Sequence, residues 1–143
     1  MPDYVTVLPV TPEHEVILVR QYRPAIDSDS LELPAGHVED GESPEEAARR
    51  ELLEETGHQA GSVELLGCLH PDTGRLANRQ WSFFAPNVRL ANPVPKQEPG
   101  IEVVMCPVSE LWDLIDSSRL SHALDLAVVS LAILKKKLPP IGT

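Results

Sequence analysis

The chain has 143 residues, 42% of them hydrophobic, and this size predicts one domain over residues 1–143. Its formal net charge of −10 argues against general binding of nucleic acids, which requires a basic surface. The longest apolar run, residues 127–134, is too short to span a bilayer, and no apolar leader opens the chain, so we expect a cytoplasmic protein without a membrane partner. Cys68 and Cys106 lie in apolar stretches without metal-ligand spacing and are predicted to be reduced core residues.

The order of apolar patterns predicts an α/β chain. Strands are expected where β-branched and aromatic residues run together between turn residues. In chain order these strands cover residues 4–10, 15–20, 31–33, 63–69, 80–85 and 101–106. Two helices are expected in the last third of the chain, a short one capped by Ser109 and a longer one over residues 121–137. The segment 86–100 contains four prolines and is predicted to be a long, functional loop.

A third helix is expected between the strands, and both of its ends carry clear signals. Ser43 is predicted to be the N-cap, Pro44 occupies the first helical position, and Glu46 completes a capping box. Gly57 supplies the left-handed residue at which a helix ends. The helix is therefore predicted over Pro44–Thr56.

Three glutamates share one face of this predicted helix. At about 100° per residue, Glu51, Glu54 and Glu55 fall within an arc of about 100°. Carboxylates at this spacing repel one another, and a hard divalent cation such as Mg²⁺ or Mn²⁺ would relieve the repulsion. Glu45 and Glu46 lie in the first turn and are instead predicted to be solvated. The sequence therefore predicts a metal site on the face that carries the three later glutamates.

The residues around the helix match the longer pattern G-x5-E-x7-R-E-U-x-E-E-x-G-U, in which U is a bulky apolar residue. The match begins at Gly36 and departs only at the last position, where His58 replaces an aliphatic residue. This pattern is the Nudix box, and the chain resembles the Nudix hydrolase family. The resemblance implies the Nudix fold, a mixed β-sheet between helices. It also implies hydrolysis of a nucleoside diphosphate linked to another moiety, with Mg²⁺ or Mn²⁺ as the cofactor.

The resemblance also implies roles for individual residues. Glu51 and Glu55 match the two principal metal-ligand positions, and Glu54 matches a third, more variable one. The backbone carbonyl of Ala35 matches a further ligand position of relatives that act on ADP-ribose. Arg50 is expected to orient a glutamate of the metal site.

The segments that precede Gly36 look like those of ADP-ribose and nucleoside diphosphate sugar pyrophosphatases. They are residues 20–24, Arg-Gln-Tyr-Arg-Pro, and residues 31–36, Leu-Glu-Leu-Pro-Ala-Gly. By that resemblance Arg23 contacts the diphosphate or the terminal ribose, and Glu32 lines the same cleft. An arginine fork is well suited to bidentate contacts with a diphosphate.

Two features depart from these relatives. Pro71 falls slightly early for the proline that relatives acting on ADP-ribose carry beyond the box, and it lacks the usual preceding serine. Such relatives usually begin with an extra N-terminal β-domain that exchanges between subunits, whereas this chain starts at the first core strand. Recognition of adenosine is therefore expected to differ, and a homodimer is left as an open expectation.

The catalytic base is expected on the loop before the strand at residues 101–106. In relatives a glutamate there activates water or completes the metal site, and the two candidates in this chain are Glu98 and Glu102. Glu98 is favoured because loop residues can reach into a cleft, whereas Glu102 alternates with core positions.

The predicted activity is cleavage of ADP-ribose, or a similar nucleoside diphosphate sugar, into a nucleoside monophosphate and a sugar phosphate. The alternatives are a nucleoside triphosphate or dinucleoside polyphosphate hydrolase and a non-catalytic nucleotide-sugar sensor on the same fold. His14, His70 and His122 are isolated in the sequence and are not expected to form a ligand set.

Overall fold

A computed structural model describes residues 1–140, and the last three residues of the predicted domain lie outside this range. The strands are β1 (Tyr4–Pro9), β2 (Glu15–Arg23), β3 (Ser28–Glu32), β4 (Ala35–His37), β5 (His58–Gln59), β6 (Glu64–Leu69), β7 (Gln80–Ala85), β8 (Arg89–Leu90) and β9 (Glu102–Pro107). The α-helices are α1 (Pro44–Thr56), α2 (Val108–Asp116) and α3 (Ala123–Leu134). Within residues 1–140, no helix is long and apolar enough to cross a membrane.

The strands form two main sheets. In the first, β1 lies between antiparallel β4 and parallel β7, and β6 pairs antiparallel with β7. In the second, β2 lies between β3 and β9, and both pairings are antiparallel. A bridge between Val10 and Val16 links the end of β1 to the start of β2, and β5 pairs with β8 as a short ribbon. The first sheet confirms the mixed strand directions that the resemblance implies.

The sheets are covered by helices on both faces. Because successive side chains of a strand point to opposite faces, β1 contributes to two buried clusters. Val5 and Val7 belong to one cluster together with Ala47 of α1, whereas Leu8 belongs to the other together with Val128 of α3. The helix α1 therefore packs on one face and α3 on the other, which confirms the predicted arrangement of a mixed sheet between helices.

The helix α1 has the boundaries that its capping residues predict. The Ser43 hydroxyl accepts a hydrogen bond of 3.1 Å from the backbone N–H of Glu46. Gly57 ends the helix at φ 72°, and its N–H donates to the carbonyl of Leu53 at 2.9 Å. These local bonds fix the ends of α1, and Ala47, Ala48 and Leu52 form the face that packs on the sheet.

Other predicted elements differ from the structure. The strand β2 continues to Arg23 because its last residues pair with β3, which itself begins earlier than expected, at Ser28. The prediction that Ser109 caps the short helix is wrong, since α2 begins at Val108 and its N-cap is Pro107. The helix α3 is shorter than the predicted range 121–137. It starts at Ala123 and ends at Leu134, and Lys136 beyond it has a positive φ of 62°.

The two cysteines have different surroundings. Cys106 is buried as predicted, but the prediction that Cys68 is a core residue is wrong, because it is exposed. Cys68 lies on β6, an edge strand on which Leu66 takes the buried position. The predicted loop over residues 86–100 also contains an element of regular structure, the strand β8.

Candidate active site

Glutamates of α1 turn inward against the strand β4. Glu51 and Glu55 are only 9% and 4% exposed, although both are acidic. Gly36 of β4 lies directly against Glu51, and a Cβ atom at position 36 would overlap the Glu51 carboxylate. The lack of a side chain at Gly36 therefore provides the space in which the carboxylate lies.

Three carboxylates converge at this point from two separate segments. Glu51 and Glu54 come from α1, and Glu98 comes from the loop that precedes β9. One oxygen from each lies within 4.8 Å of the others. The fourth acid, Glu55, is held beside them because its Oε1 accepts a hydrogen bond of 2.8 Å from the N–H of Ala35.

Burial makes Glu51 and Glu55 hard to ionise. The pKa of Glu55 is raised to about 8, chiefly by loss of solvation, then by the negative charges of Glu51 and Glu98, against the effect of the Ala35 N–H. The pKa of Glu51 is also raised, first by burial and then by the charges of Glu54 and Glu98, although Arg50 opposes the shift. A bound cation reverses this balance, because it favours the ionised carboxylates. A set of carboxylate oxygens fits a hard divalent cation such as Mg²⁺ or Mn²⁺.

Arg50 connects the acids to the rest of the fold. Its Nη1 donates to Glu51 at 2.8 Å and to Glu54 at 3.2 Å. Its Nε and Nη2 donate to the two oxygens of Glu42 at 2.7 and 3.0 Å, and Nη2 also donates to the carbonyl of His37 at 2.9 Å. The guanidinium is therefore held by Glu42 and the His37 carbonyl on one side and donates to Glu51 and Glu54 on the other.

The four acids line an open cleft of about 650 Å³ that also contains Arg23 and Glu32. The Arg23 guanidinium forms bidentate hydrogen bonds to the Glu32 carboxylate, 2.9 Å from Nε to Oε2 and 2.8 Å from Nη2 to Oε1. Burial by itself would raise the pKa of Glu32, but hydrogen bonds from Arg23 and Ser30 outweigh it and hold the pKa below its usual value. Both predicted substrate-binding residues thus share one cleft with the predicted metal ligands.

The sequence model of the NUDIX domain matches residues 2–125, which is most of the chain. The chain belongs to the Nudix family. It is 40% identical over 125 residues to the ADP-sugar pyrophosphatase of Mus musculus, a match that covers 80% of this chain and 57% of the mouse protein. It is 29% identical over 139 residues to the ADP-ribose pyrophosphatase of Bacillus subtilis strain 168, covering 96% of this chain and 75% of that protein.

A solved structure shares this Nudix fold. The crystal structure of an ADP compounds hydrolase matches with a TM-score of 0.83 at 24% identity, covering 94% of this chain and 72% of that chain. At this level of identity the likeness concerns the arrangement of helices and strands alone.

The structure separates the two candidates for the base of this Nudix site. Glu98 lies in the cleft, within the acid cluster. Glu102 instead lies at the start of β9, where its side chain is 65% exposed and its carboxylate accepts a hydrogen bond of 2.9 Å from Arg20. Of the two candidates, Glu98 is therefore the one that lies beside the glutamates of α1.

The Nudix cleft also contains two residues to which the sequence analysis assigns no role, His122 and Asp125. The Nδ1 of His122 lies 3.4 Å from Oδ1 of Asp125, a contact that the sequence analysis does not predict. Asp125 is buried and accepts a hydrogen bond of 3.0 Å from the N–H of Leu33. The only signal in the sequence is the i, i+3 spacing of a histidine and an aspartate at the start of a helix, and this spacing does not show what lies opposite.

A second, larger cleft of about 770 Å³ lies between β3, β9 and α2. None of the predicted Nudix site residues, all of which belong to the described range, lines it. Its size alone does not make it the active site, because the acids that fit a metal lie in the smaller cleft.

Proposed function

We propose that this Nudix chain is a divalent-cation-dependent pyrophosphohydrolase that cleaves ADP-ribose, or a similar nucleoside diphosphate sugar, into a nucleoside monophosphate and a sugar phosphate. The observation that carries the proposal is the convergence of Glu51, Glu54 and Glu98 beside the buried Glu55. The substrate class is supported by the mouse and Bacillus subtilis relatives, which are named as pyrophosphatases of ADP-sugars and ADP-ribose.

The proposed cation is Mg²⁺ or Mn²⁺, held by Glu51, Glu54, Glu55 and the carbonyl of Ala35. When bound, such a cation neutralises phosphate oxygens and lowers the pKa of a water nucleophile. Glu55 is kept next to Ala35 by the hydrogen bond from the Ala35 N–H. Arg50 keeps the Glu51 carboxylate in place through Nη1, so that its position does not depend on the cation alone.

The remaining roles follow from the positions of the other side chains in the cleft. Glu98 comes from a loop and is proposed to accept the proton of the attacking water. Glu32 engages Nε and Nη2 of Arg23, so the remaining amino group, Nη1, is the one proposed to contact the diphosphate or the terminal ribose. Glu32 therefore orients Arg23 as well as lining the cleft.

The first experiment is a substrate panel. The protein is incubated with Mg²⁺ and ADP-ribose, GDP-mannose, UDP-glucose, diadenosine polyphosphates or nucleoside triphosphates, and the products are separated by chromatography. We expect equal amounts of AMP and ribose phosphate from ADP-ribose, and no products when EDTA removes the cation. Turnover of triphosphates or dinucleotides alone would refute the substrate class, and binding of ADP-ribose without turnover would indicate a sensor.

A matched pair of variants tests the site itself. Glu51→Gln removes a buried charge that faces the cleft, whereas Glu46→Gln makes the same change at an exposed position in the first turn of α1. We expect kcat to fall by about 10²-fold or more in the first variant and to stay near wild type in the second. Equal activities of the two variants would refute the metal assignment.

Cytoplasmic localisation and a homodimer stay predictions.

A further inference from the structure

His122 occupies a defined position in the proposed active-site cleft. It is the N-cap residue of α3, and its side chain is 43% exposed to the cleft and solvent. Its Nδ1 faces Oδ1 of Asp125 at 3.4 Å, so the other ring nitrogen, Nε2, is the one available to a ligand. A histidine whose Nδ1 is held by a carboxylate is oriented in the way that binding and catalytic histidines are.

Asp125 is a rigid support for this imidazole. Its side chain is only 2% exposed, and its second oxygen, Oδ2, accepts the Leu33 N–H at 3.0 Å. Leu33 lies between β3, which carries Glu32, and β4, which starts with Ala35. The aspartate therefore couples the imidazole to the same backbone segment that supplies two of the proposed site residues.

The charges around His122 come from three elements. Asp125 on α3 and Glu32 on β3 are acidic, and Arg23 at the end of β2 is basic. The hydrogen bond that the imidazole donates to Asp125 is the main reason that the pKa of His122 is raised, and burial opposes it. Tyr4 on β1 also lines the cleft, but its pKa is raised above its usual value near 10, so it stays neutral where histidine titrates.

The other cations of the cleft are already engaged by carboxylates. Arg50 donates hydrogen bonds to Glu42, Glu51 and Glu54, and Arg23 donates to Glu32. A nucleoside diphosphate brings two negative charges into a cleft whose charged residues are mostly acids. Besides a metal and the Nη1 group of Arg23 proposed above, its phosphate oxygens can accept from a further positive donor. A protonated imidazole with one free N–H supplies such a donor.

We propose that the His122 imidazolium, oriented by Asp125, is a substrate-binding residue that donates a hydrogen bond from Nε2 to a phosphate oxygen of the nucleoside diphosphate. This inference rests on the proposed function, because it concerns the same cleft. It predicts that affinity for the substrate depends on the protonation of one histidine.

The kinetic test compares two identical substitutions. His122→Asn removes the imidazole and keeps a residue that is favoured at a helix N-cap, so α3 is expected to form as before. His14→Asn removes an exposed imidazole from the turn between β1 and β2, where its positive φ of 60° is readily adopted by asparagine. KM and kcat for ADP-ribose with Mg²⁺ are measured across the range in which histidine titrates.

Near pH 6 we expect the KM of His122→Asn to exceed that of wild type by about tenfold, typical of one lost charge-assisted hydrogen bond, with kcat changed less than about twofold. The ratio of the two KM values should fall towards one as the wild-type imidazole loses its proton. Taking the ratio cancels the effect of glutamate titration on KM, because the glutamates titrate in both proteins. A ratio near one at every pH, or an equal effect of His14→Asn, would overturn the proposal.

A binding test keeps this inference separate from the proposed activity. Histidine ring resonances are followed by NMR as a function of pH, with and without saturating Mg²⁺ and inorganic pyrophosphate, and the His122 signals are assigned from the His122→Asn variant. We expect pyrophosphate to raise the pH midpoint of His122 by about 0.5 or more and to leave that of His14 unchanged. An unchanged His122 midpoint would overturn the inference. A protein that fails to hydrolyse ADP-ribose but shows the shifted midpoint would refute the proposed substrate and support the phosphate contact.

Discussion

Replacing Gly36 by alanine should lower the activity of the protein while leaving its stability nearly unchanged. The new Cβ atom would overlap the carboxylate of Glu51, which lies against Gly36 in the cleft. Restoring ordinary van der Waals contact requires that carboxylate to move by about 1 Å or more. Because the obstructing atoms are the far end of a flexible side chain, Glu51 can move while the backbone of β4 stays in place.

The expected loss follows from this displacement. A misplacement of about 1 Å in a catalytic group costs on the order of 10²-fold in rate, so we expect kcat/KM of Gly36→Ala to fall by about that factor. Stability should change little, because alanine restricts the unfolded chain and is not strained at ordinary backbone angles. Gly36 does not have the positive φ that would make a side chain costly.

The assay combines steady-state hydrolysis of ADP-ribose, calorimetric titration with Mn²⁺ and thermal unfolding. Gly61→Ala is the matched control, because a Cβ there meets no atom within 4 Å. We expect Gly36→Ala alone to lose activity and cation affinity, while both variants unfold within a few degrees of wild type. Wild-type activity in Gly36→Ala would refute the argument that the position of Glu51 controls the reaction.

Three further predictions concern other residues of the cleft. Glu98→Gln should lower kcat by about 10²-fold while Glu102→Gln stays near wild type, and equal steady-state rates would refute the choice of Glu98 as the base. In metal-free protein the folded-state pKa of Glu55, about 8, lies above its usual value of 4.5, so the free energy of unfolding should fall as pH rises between these values. The Glu55→Gln side chain cannot ionise, so this variant should be more stable than wild type by up to a few kcal/mol at pH 8 and equally stable near pH 4.5. Thermal unfolding in EDTA measures both differences. Equal stability of the two proteins at both pH values would contradict the argument that burial raises the pKa of Glu55. Arg23→Lys keeps the charge but loses the fork to Glu32, so KM should rise by about tenfold at nearly constant kcat, and a fall in kcat alone would place Arg23 in a different role.

Most of the helix α1 could be predicted because its signals are local. Ser43 and Gly57 form capping bonds with residues within one turn, and those bonds set the helix boundaries. Once the boundaries are known, the 3.6-residue period alone places Glu51, Glu54 and Glu55 on a common face. Strand ends were predicted less well, because the extension of β2 to Arg23 depends on pairing with β3 and not on the residues of β2 themselves.

The sequence by itself therefore determined the family, the helix and the residues that carry its charges. Only the tertiary structure shows which distant groups lie beside them. Glu98 lies next to Glu51 and Glu54, Glu51 fits against Gly36, and Asp125 contacts both His122 and the N–H of Leu33. The tertiary structure also decided that Cys68 faces solvent while Cys106 is buried. The physical reason is that these relations arise from strand order and from packing between segments far apart in the chain, whereas composition and periodicity report only on neighbours along it.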